Sequence, residues 1–214
     1  MIKRAFCVLM ICLLHTLWTA GSVISGMAKD EQLLLRCFDT YAQTEAFGVA
    51  SSEYPLFSAQ LSAFFRHETD NPSVSSHPFH DYEVVHLYDV RALMDGISRV
   101  AQACLMGELL FIALTIYLMK RKRVPLWPGC VAYIALVALL ALYAVLDFNR
   151  AFTLVHQLLF TNDLWLLNPQ TDLLIALMPE GMFMYLARRV LFSLSPLFIA
   201  MLLALPFKSI KPRQ

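Results

Sequence analysis

The sequence predicts an all-α integral membrane protein: a four-helix transmembrane bundle with an interfacial helix and a small extracytoplasmic domain that allows minor β structure. Of the 214 residues, 58% are hydrophobic and only 15% are charged, which is more apolar than an ordinary soluble domain. Four segments approach the roughly 20 apolar residues that a helix needs to cross a bilayer. Basic residues also cluster at one end of these segments, as expected of a multi-pass protein.

The first predicted span could instead be a cleavable signal peptide, because Lys3 and Arg4 precede its apolar run. Its apolar stretch is longer than a typical signal core, so we expect a retained anchor. His15 inside it is expected to face another helix with a satisfied hydrogen bond. The predicted spans are residues 1–26, 100–119, 128–146 and 190–207.

The distribution of Lys and Arg predicts the orientation in the membrane. Residues 27–99 carry eleven Asp and Glu against five Lys and Arg, so this segment is expected outside, together with residues 147–189. The loop 120–127, the tail 208–214 and both termini are then cytoplasmic. The basic clusters are Lys3 with Arg4, residues 120–123, and Lys208 with Lys211 and Arg213.

Other classes of function have little support in the composition. Five cysteines are present, but only Cys37 lies well clear of the predicted spans, so no intrachain disulfide framework is expected outside the membrane. A net charge of +1 gives no signal for nucleic-acid binding. The oligomeric state does not follow from the sequence.

The first outer segment contains an amphipathic pattern after Ser51-Ser52 and around Pro55, which predicts a capped helix. Residues 67–81 are rich in Pro, Ser and Thr and predict a loop. From Val90 the apolar residues follow helical spacing, so this helix is expected to run straight into the second span. At its outer start His86 and Asp89, three residues apart, would share a face, although a surface pair is the simpler interpretation.

The second outer segment has unusual density of polar groups for a loop between spans. Asn149, Thr153, His156 and Phe160 step by four, three and four residues, which predicts one helical face. Asn162-Asp163 should end this helix, and Trp165 offers an interfacial anchor. Two elements complete the segment: a turn from Asn168-Pro169 to Asp172, and a short apolar helix over 173–178 that lies in the headgroup plane or dips into the bundle.

Common catalytic motifs are absent from the sequence. There is no G-x-S-x-G elbow and no H-E-x-x-H. A metal-dependent enzyme is a weaker alternative, because the spacing of its possible ligands is loose, and no metal or cofactor is expected. The possible ligands are His77, His80, Asp81, His86, Asp89 and His156. A transporter would be expected to have several ionisable groups near the middle of the membrane, and Glu108 in the second predicted span is the only acidic candidate. Two separated histidines near the outer headgroups remain, and these suit base and acid roles on a lipid-linked substrate.

These residues resemble the bacterial lipoprotein intramolecular transacylases, a family of four-span membrane proteins. The resemblance covers nearly the whole chain and rests on H-x-x-D-V at residues 86–90 and on a longer, more specific signature after the third span. The chain departs from the family pattern at Val155 and Gln157 beside the histidine, and at Asn149 and Asn168, where aspartates are common. The signature residues are Asp147, Phe152, His156, Phe160, Trp165, Pro169, Asp172, Leu174-Ile175, Pro179 and Phe183.

The resemblance implies transfer of the sn-2 acyl chain of a diacylated lipoprotein to its own N-terminal amine, giving a lyso-form lipoprotein in the bacterial cell membrane. Its partners would be diacylated lipoproteins and membrane lipid. His156 is then expected to take the amine proton, while His86, oriented by Asp89, donates to the leaving oxygen or the oxyanion; the roles could be reversed. Supporting residues are Asp147, Asn149, Arg150 and Asp172, and interface or substrate-binding residues are Phe152, Phe160 and Trp165.

Two other functions are compatible with the same residues. In a membrane acyl-ester hydrolase, water would replace the amine, and free fatty acid would be the product. In a non-enzymatic membrane binding protein, both histidines would be structural, and replacing them would leave function intact.

Overall fold

The computed structural model describes residues 2–119 and 127–197, which form eight α-helices. In these residues no strand forms, and the β structure is limited to an isolated bridge between Val74 and His77. Short 3-10 turns lie at Glu45–Phe47 and Ser51–Glu53. The α-helices are α1 Ile2–Lys29, α2 Glu31–Tyr41, α3 Tyr54–Phe65, α4 Asp81–Met119, α5 Trp127–Leu146, α6 Phe148–Leu159, α7 Leu173–Leu177 and α8 Glu180–Ser193.

Three of these helices are long and apolar enough to cross a membrane: Phe6–Lys29, Asp81–Tyr117 and Gly129–Leu146. They correspond to the first three predicted spans and make the chain a multi-pass membrane protein. Most of the predicted fourth span, 190–207, lies outside the described residues, as does the predicted tail 208–214.

Helix α4 is much longer than a membrane span. Its 39 residues correspond to about 58 Å at 1.5 Å per residue, whereas a bilayer core is about 30 Å thick. The predicted span begins at Val100, in the second half of this helix, so the first half precedes the predicted span. The prediction of a helix continuous with the span is confirmed, although the helix begins at Asp81, nine residues before Val90.

The first half of α4 packs into a compact head domain, which we define as residues 30–95 and 147–193. The head domain contains α2, α3, α6, α7 and α8 as well. Helix α3 was predicted and α2 was not. The fully buried residues of its core include Leu33, Phe38, Phe57, Leu61, Phe64, Leu177 and Met182.

The predicted short helix over 173–178 is present as α7, and it lies in this core. Leu173, Leu174, Ala176 and Leu177 are all buried against the other helices of the head domain. Protein side chains therefore cover the apolar surface that the sequence analysis assigned to lipid or to the bundle.

Glu83 joins the first turns of α4 and α7. It is fully buried, at 0% exposure, and burial raises the pKa of its carboxyl group. One carboxylate oxygen accepts the backbone N–H of His80 at 2.7 Å, and the other accepts the N–H of Leu174 at 2.7 Å. Because the first N–H groups of a helix have no partner within the helix, one side chain here satisfies a donor at each of two helix starts.

Replacing Glu83 with alanine should lower the free energy of unfolding of the head domain by about 2–5 kcal/mol, since it leaves two buried N–H groups without an acceptor. Thermal unfolding of the detergent-solubilised protein measures this loss. Glu68→Ala is the matched control, because the exposed Glu68 carboxylate bonds only to the Arg66 side chain. An unchanged unfolding midpoint in Glu83→Ala would contradict the assignment.

Helices α1 and α4 approach closely at Gly21. A Cβ atom at this position would lie 3.0 Å from the Ala101 Cβ, so only glycine fits without displacement. Nearer the middle of the spans, His15 Nδ1 lies 3.0 Å from Glu108 Oε1. The expectation that His15 faces another helix with a satisfied hydrogen bond is confirmed. Thr16 and Tyr133 make a second polar contact, between α1 and α5.

Candidate active site

Helix α6 carries His156 and is fixed at its start by Asp147. The Asp147 Oδ1 accepts the backbone N–H of Arg150 at 2.9 Å, which makes Asp147 the N-cap residue. The helix ends at Leu159, and Phe160 has extended backbone angles of φ −116° and ψ 140°. Phe160 is the C-cap residue: its backbone N–H still donates to the His156 carbonyl at 2.9 Å, and its ring contacts that of His156, as the predicted shared face requires.

His156 lies among aromatic rings. Its ring centroid is 4.0 Å from that of Phe152, 5.1 Å from that of Trp165 and 5.6 Å from that of Phe160. Burial among these rings lowers the pKa of His156, and a hydrogen bond to the Phe152 carbonyl partly opposes this shift. The imidazole is therefore neutral at pH 7.

A hydrogen bond fixes which nitrogen of His156 holds the proton. Nδ1 lies 2.8 Å from the carbonyl oxygen of Phe152. A carbonyl oxygen only accepts, so Nδ1 must carry the hydrogen, and in a neutral imidazole Nε2 then has a free lone pair. That is the form a general base needs.

His86 lies in the first half of α4, before the predicted span, and is only 7% exposed. Its Nδ1 is buried and has no hydrogen-bond partner among the described residues. Burial and, to a smaller extent, the charge of His156 lower the pKa of His86 to about 4, although the charge of Asp89 opposes the shift. His86 is thus a buried, neutral imidazole with an unused polar atom.

Phe160 lies between the two histidines, with its ring centroid 5.3 Å from that of His86 and 5.6 Å from that of His156. The residue that leaves helix α6 thereby brings His86 on α4 and His156 on α6 to the same aromatic side chain. The two imidazoles are close enough for the charge of one to lower the pKa of the other.

Asp89 does not hydrogen-bond to His86, which corrects the expectation that it orients that ring. Instead its Oδ2 accepts a hydrogen bond from Asn162 Nδ2 at 2.9 Å. Both residues line a cleft of about 270 Å³ whose wall also includes Leu93 and Phe160. The i, i+3 spacing brings Asp89 and His86 near each other, but the Asp89 carboxylate accepts its hydrogen bond from Asn162, 73 positions later in the chain.

Asn162 is a functional candidate that sequence reasoning treated only as a helix breaker. Its Oδ1 accepts the N–H of Leu164 at 3.2 Å, and its backbone carbonyl accepts Trp165 Nε1–H at 2.9 Å. With its bond to Asp89, this residue fixes the loop that carries Trp165 against α4. An Asn just after an apolar helix was the only signal, and it does not reveal a partner on another helix.

The remaining predicted supporting residues do not meet the histidines. Asp172 is buried, and its carboxylate accepts hydrogen bonds from Tyr82 at 2.6 Å, Thr171 at 2.7 Å and the Asn168 N–H at 2.8 Å, so it holds a turn together. The side chains of Asn149 and Arg150 are exposed, and Asn149 accepts only from Thr153 at 3.4 Å. In the part of the chain that is described, no three His, Cys, Asp or Glu side chains converge to hold a metal.

The comparison with protein families decides which class of enzyme this site belongs to. The model of the family described as lipoprotein intramolecular transacylase Lit matches residues 8–183, a range that includes both histidines and the Asp89–Asn162 pair. The chain belongs to the lipoprotein intramolecular transacylase family. As a member of this family it is an acyltransferase that moves an acyl chain within a lipoprotein. No curated protein matches the chain in sequence.

Solved structures of a lipoprotein intramolecular transacylase have the same fold. The membrane-integral Lit of Bacillus cereus is 21% identical, with a TM-score of 0.68 over 94% of this chain and 92% of that one. Two variants of that protein, in which one histidine is replaced by alanine or by arginine, have TM-scores of 0.64 and 0.62. They are 21% and 20% identical, and the alignments cover 94% of this chain and 90% and 87% of theirs. At this identity the likeness establishes the fold alone.

Proposed function

We propose that the enzyme transfers the sn-2 acyl chain of a diacylated bacterial lipoprotein to the α-amino group of that lipoprotein's N-terminal cysteine. The amine nitrogen attacks the carbonyl carbon of the sn-2 ester, a C–N bond forms, and the C–O bond to the glyceryl group breaks. One proton moves from nitrogen to the glyceryl oxygen. The product is a lyso-form lipoprotein of the same mass as the substrate.

The observation that carries this proposal is the free Nε2 lone pair of His156 in an aromatic pocket beside a second, buried histidine. Amine and ester belong to one molecule, so holding them together provides a high effective concentration and no protein nucleophile is needed. What the protein must supply is proton transfer and stabilisation of the oxyanion.

His156 is the general base of this scheme. An α-ammonium group has a reference pKa of about 7.7–8.0 and must lose a proton before its nitrogen can attack. The lone pair on Nε2 accepts this proton, and the Phe152 carbonyl stabilises the resulting imidazolium through Nδ1–H. This first proton passes to solvent. After the neutral amine has attacked, Nε2 accepts the second proton from the nitrogen of the tetrahedral intermediate and donates it to the departing glyceryl oxygen.

His86 contributes as a neutral donor. With a pKa of about 4 its imidazolium form is rare at neutral pH, so it is poorly suited to deliver a whole proton. A neutral imidazole still has one N–H, which can donate a hydrogen bond to the oxyanion of the tetrahedral intermediate in a water-poor site. Because a charge on His156 disfavours a charge on His86, the two imidazoles do not favour carrying a positive charge at the same time.

The surface of α6 supports a site at the membrane interface. Leu154, Leu158 and Leu159 on this helix and Leu166 just after it are all exposed in the protein, with Leu158 at 75%. Exposed leucines on an amphipathic helix fit insertion into the outer part of a lipid layer. Trp165, held by the Asn162 carbonyl, is suited to fix this depth, and Phe152 and Phe160 keep water from the histidines.

The proposed location is the extracytoplasmic face of the bacterial cell membrane, with both termini in the cytoplasm. The excess of acidic over basic residues in 27–99 and the basic clusters beyond the spans support this orientation. Lipoproteins expose their diacylglyceryl cysteine at that face, so the substrate and the head domain would meet there.

The test is expression in a bacterium that lacks other lipoprotein N-acylation, followed by tandem mass spectrometry of one lipoprotein's N-terminal peptide. The expected product has an unchanged mass, a blocked amine and a monoacylated glyceryl group. A hydrolase would instead release fatty acid and lower the mass, and a non-enzymatic protein would leave the diacylated peptide unchanged. With purified enzyme and a synthetic lipopeptide carrying different sn-1 and sn-2 chains, only the sn-2 chain should reach the nitrogen.

A further inference from the structure

The cleft lined by Asp89, Asn162 and Phe160 has an unbalanced negative charge, and the Phe160 ring also contacts both histidines. Asp89 lies in its wall, and the one hydrogen bond to its carboxylate comes from the neutral amide of Asn162. Among the ion pairs of residues 2–119 and 127–197, none involves Asp89. Arg91, the basic residue nearest in sequence, is used elsewhere: it stacks 4.2 Å from the Phe64 ring and donates to backbone carbonyls.

A second polar group without a partner lies behind Phe160, a residue of the cleft wall. His86, one helical turn before Asp89, is more than nine-tenths buried and its Nδ1 has no partner. The ring of His86 contacts Phe160, which also lines the cleft. A half-buried carboxylate without a cation and a buried nitrogen without a hydrogen bond are both unfavourable unless a ligand supplies the missing groups.

We propose that this cleft binds the α-ammonium group of the substrate's N-terminal cysteine, with Asp89 as its counter-ion and Asn162 as a positioning residue. The inference rests on the proposed function, because it is the attacking amine that must be placed beside His156. Asn162 holds the Asp89 carboxylate with its side chain and Trp165 with its carbonyl. Asn162 therefore positions both the carboxylate of the proposed ammonium site and Trp165, whose ring contacts that of His156.

This site would also distinguish substrate from product. The substrate amine carries a positive charge at neutral pH, whereas the N-acylated product is a neutral amide that a carboxylate does not attract. Product would then leave more readily than substrate, and lipoproteins already acylated on nitrogen would bind poorly.

The test compares two non-reactive ligands, both dialkyl-ether analogues of the diacylglyceryl-cysteine peptide. One has a free amine and the other an acetylated amine, and their affinities for the full-length enzyme in nanodiscs are measured by fluorescence anisotropy. The wild type should prefer the free amine by about tenfold or more, the range of one charge-assisted hydrogen bond. Asp89→Asn, which retains an acceptor for Asn162, should bring the two affinities to within about twofold.

The ratio of the two affinities isolates the ammonium contact, because the ligands share every other group. Asn162→Ala should lower this ratio partially while the thermal unfolding midpoint reports whether the fold is intact. Asp163→Asn is the matched control, since Asp163 is an exposed carboxylate in the same loop, and it should keep the wild-type ratio.

The result that would overturn the inference is a preference for the free amine that survives in Asp89→Asn, or no such preference in the wild type. Either result would leave the acyl-transfer proposal in place if the ester substrate is still converted to lyso-form product. Absence of that product from the wild-type enzyme would instead contradict the proposed function, whatever the ether analogues show.

Discussion

Replacing His156 with alanine should lower kcat by about 10²- to 10⁴-fold, the usual contribution of a positioned general base. The reason is structural: the Phe152 carbonyl holds the Nδ1 proton of His156 and leaves Nε2 as the base, whereas the pKa of His86, about 4, makes that imidazole a weaker base. The measurement is the rate of lyso-form product from a synthetic diacylated lipopeptide, followed by mass spectrometry. KM should change little, because the amine and acyl chains keep their own contacts.

Gln157→Ala is the control for this variant, since Gln157 lies next on α6 but its side chain is exposed; it should retain the wild-type rate. The pH profile gives a further check. Because burial lowers the pKa of His156 below its ordinary 6.5, its base form persists as pH falls to 6.5, and kcat should decline only at lower pH. A decline of kcat whose midpoint lies above pH 6.5 would contradict the role of His156, as would a full rate in His156→Ala.

The sequence predicted α6 well because the relevant physics is local. The four-three-four spacing of Asn149, Thr153, His156 and Phe160 predicted a helical face, and Asn162-Asp163 predicted its end. Asp147, which the sequence analysis named only as a supporting residue, is the N-cap of this helix. The continuous helix into the second span followed in the same way from apolar spacing. Local signals of this kind place His156 and His86 on elements but do not say what surrounds them.

The parts that the sequence did not predict depend on contacts between distant segments. Asp89 was expected to orient His86, as the i, i+3 spacing allows, but the amide of Asn162 takes its carboxylate. In the sequence, Glu83 is an ordinary acidic residue in the first turn of a helix. In the structure its carboxylate accepts the backbone N–H of Leu174, 91 residues later. Helix α2 has Asp30 as its N-cap residue, yet the sequence analysis did not predict this helix. Its apolar residues are buried by contacts with distant segments of the head domain, which the local sequence does not reveal.

The two imidazoles are predicted to act differently, and variants of His86 separate the possibilities. His86→Ala should lower kcat by about 10²- to 10³-fold, the cost of removing one oxyanion donor, again with little change in KM. His86→Gln should recover part of this loss, because a side-chain amide N–H can donate a hydrogen bond without holding an extra proton. The assay is the same rate measurement on the synthetic lipopeptide.

The comparison of Ala with Gln tests the charge state that follows from burial. A pKa of about 4 means that the folded protein holds His86 neutral at pH 7, so a neutral donor is the form available to the oxyanion. If His86 instead delivered a proton as an imidazolium, glutamine could not replace it, and His86→Gln would be as inactive as His86→Ala. Equal loss in the two variants, with intact folding, would thus reassign His86 as the acid and leave His156 as base alone.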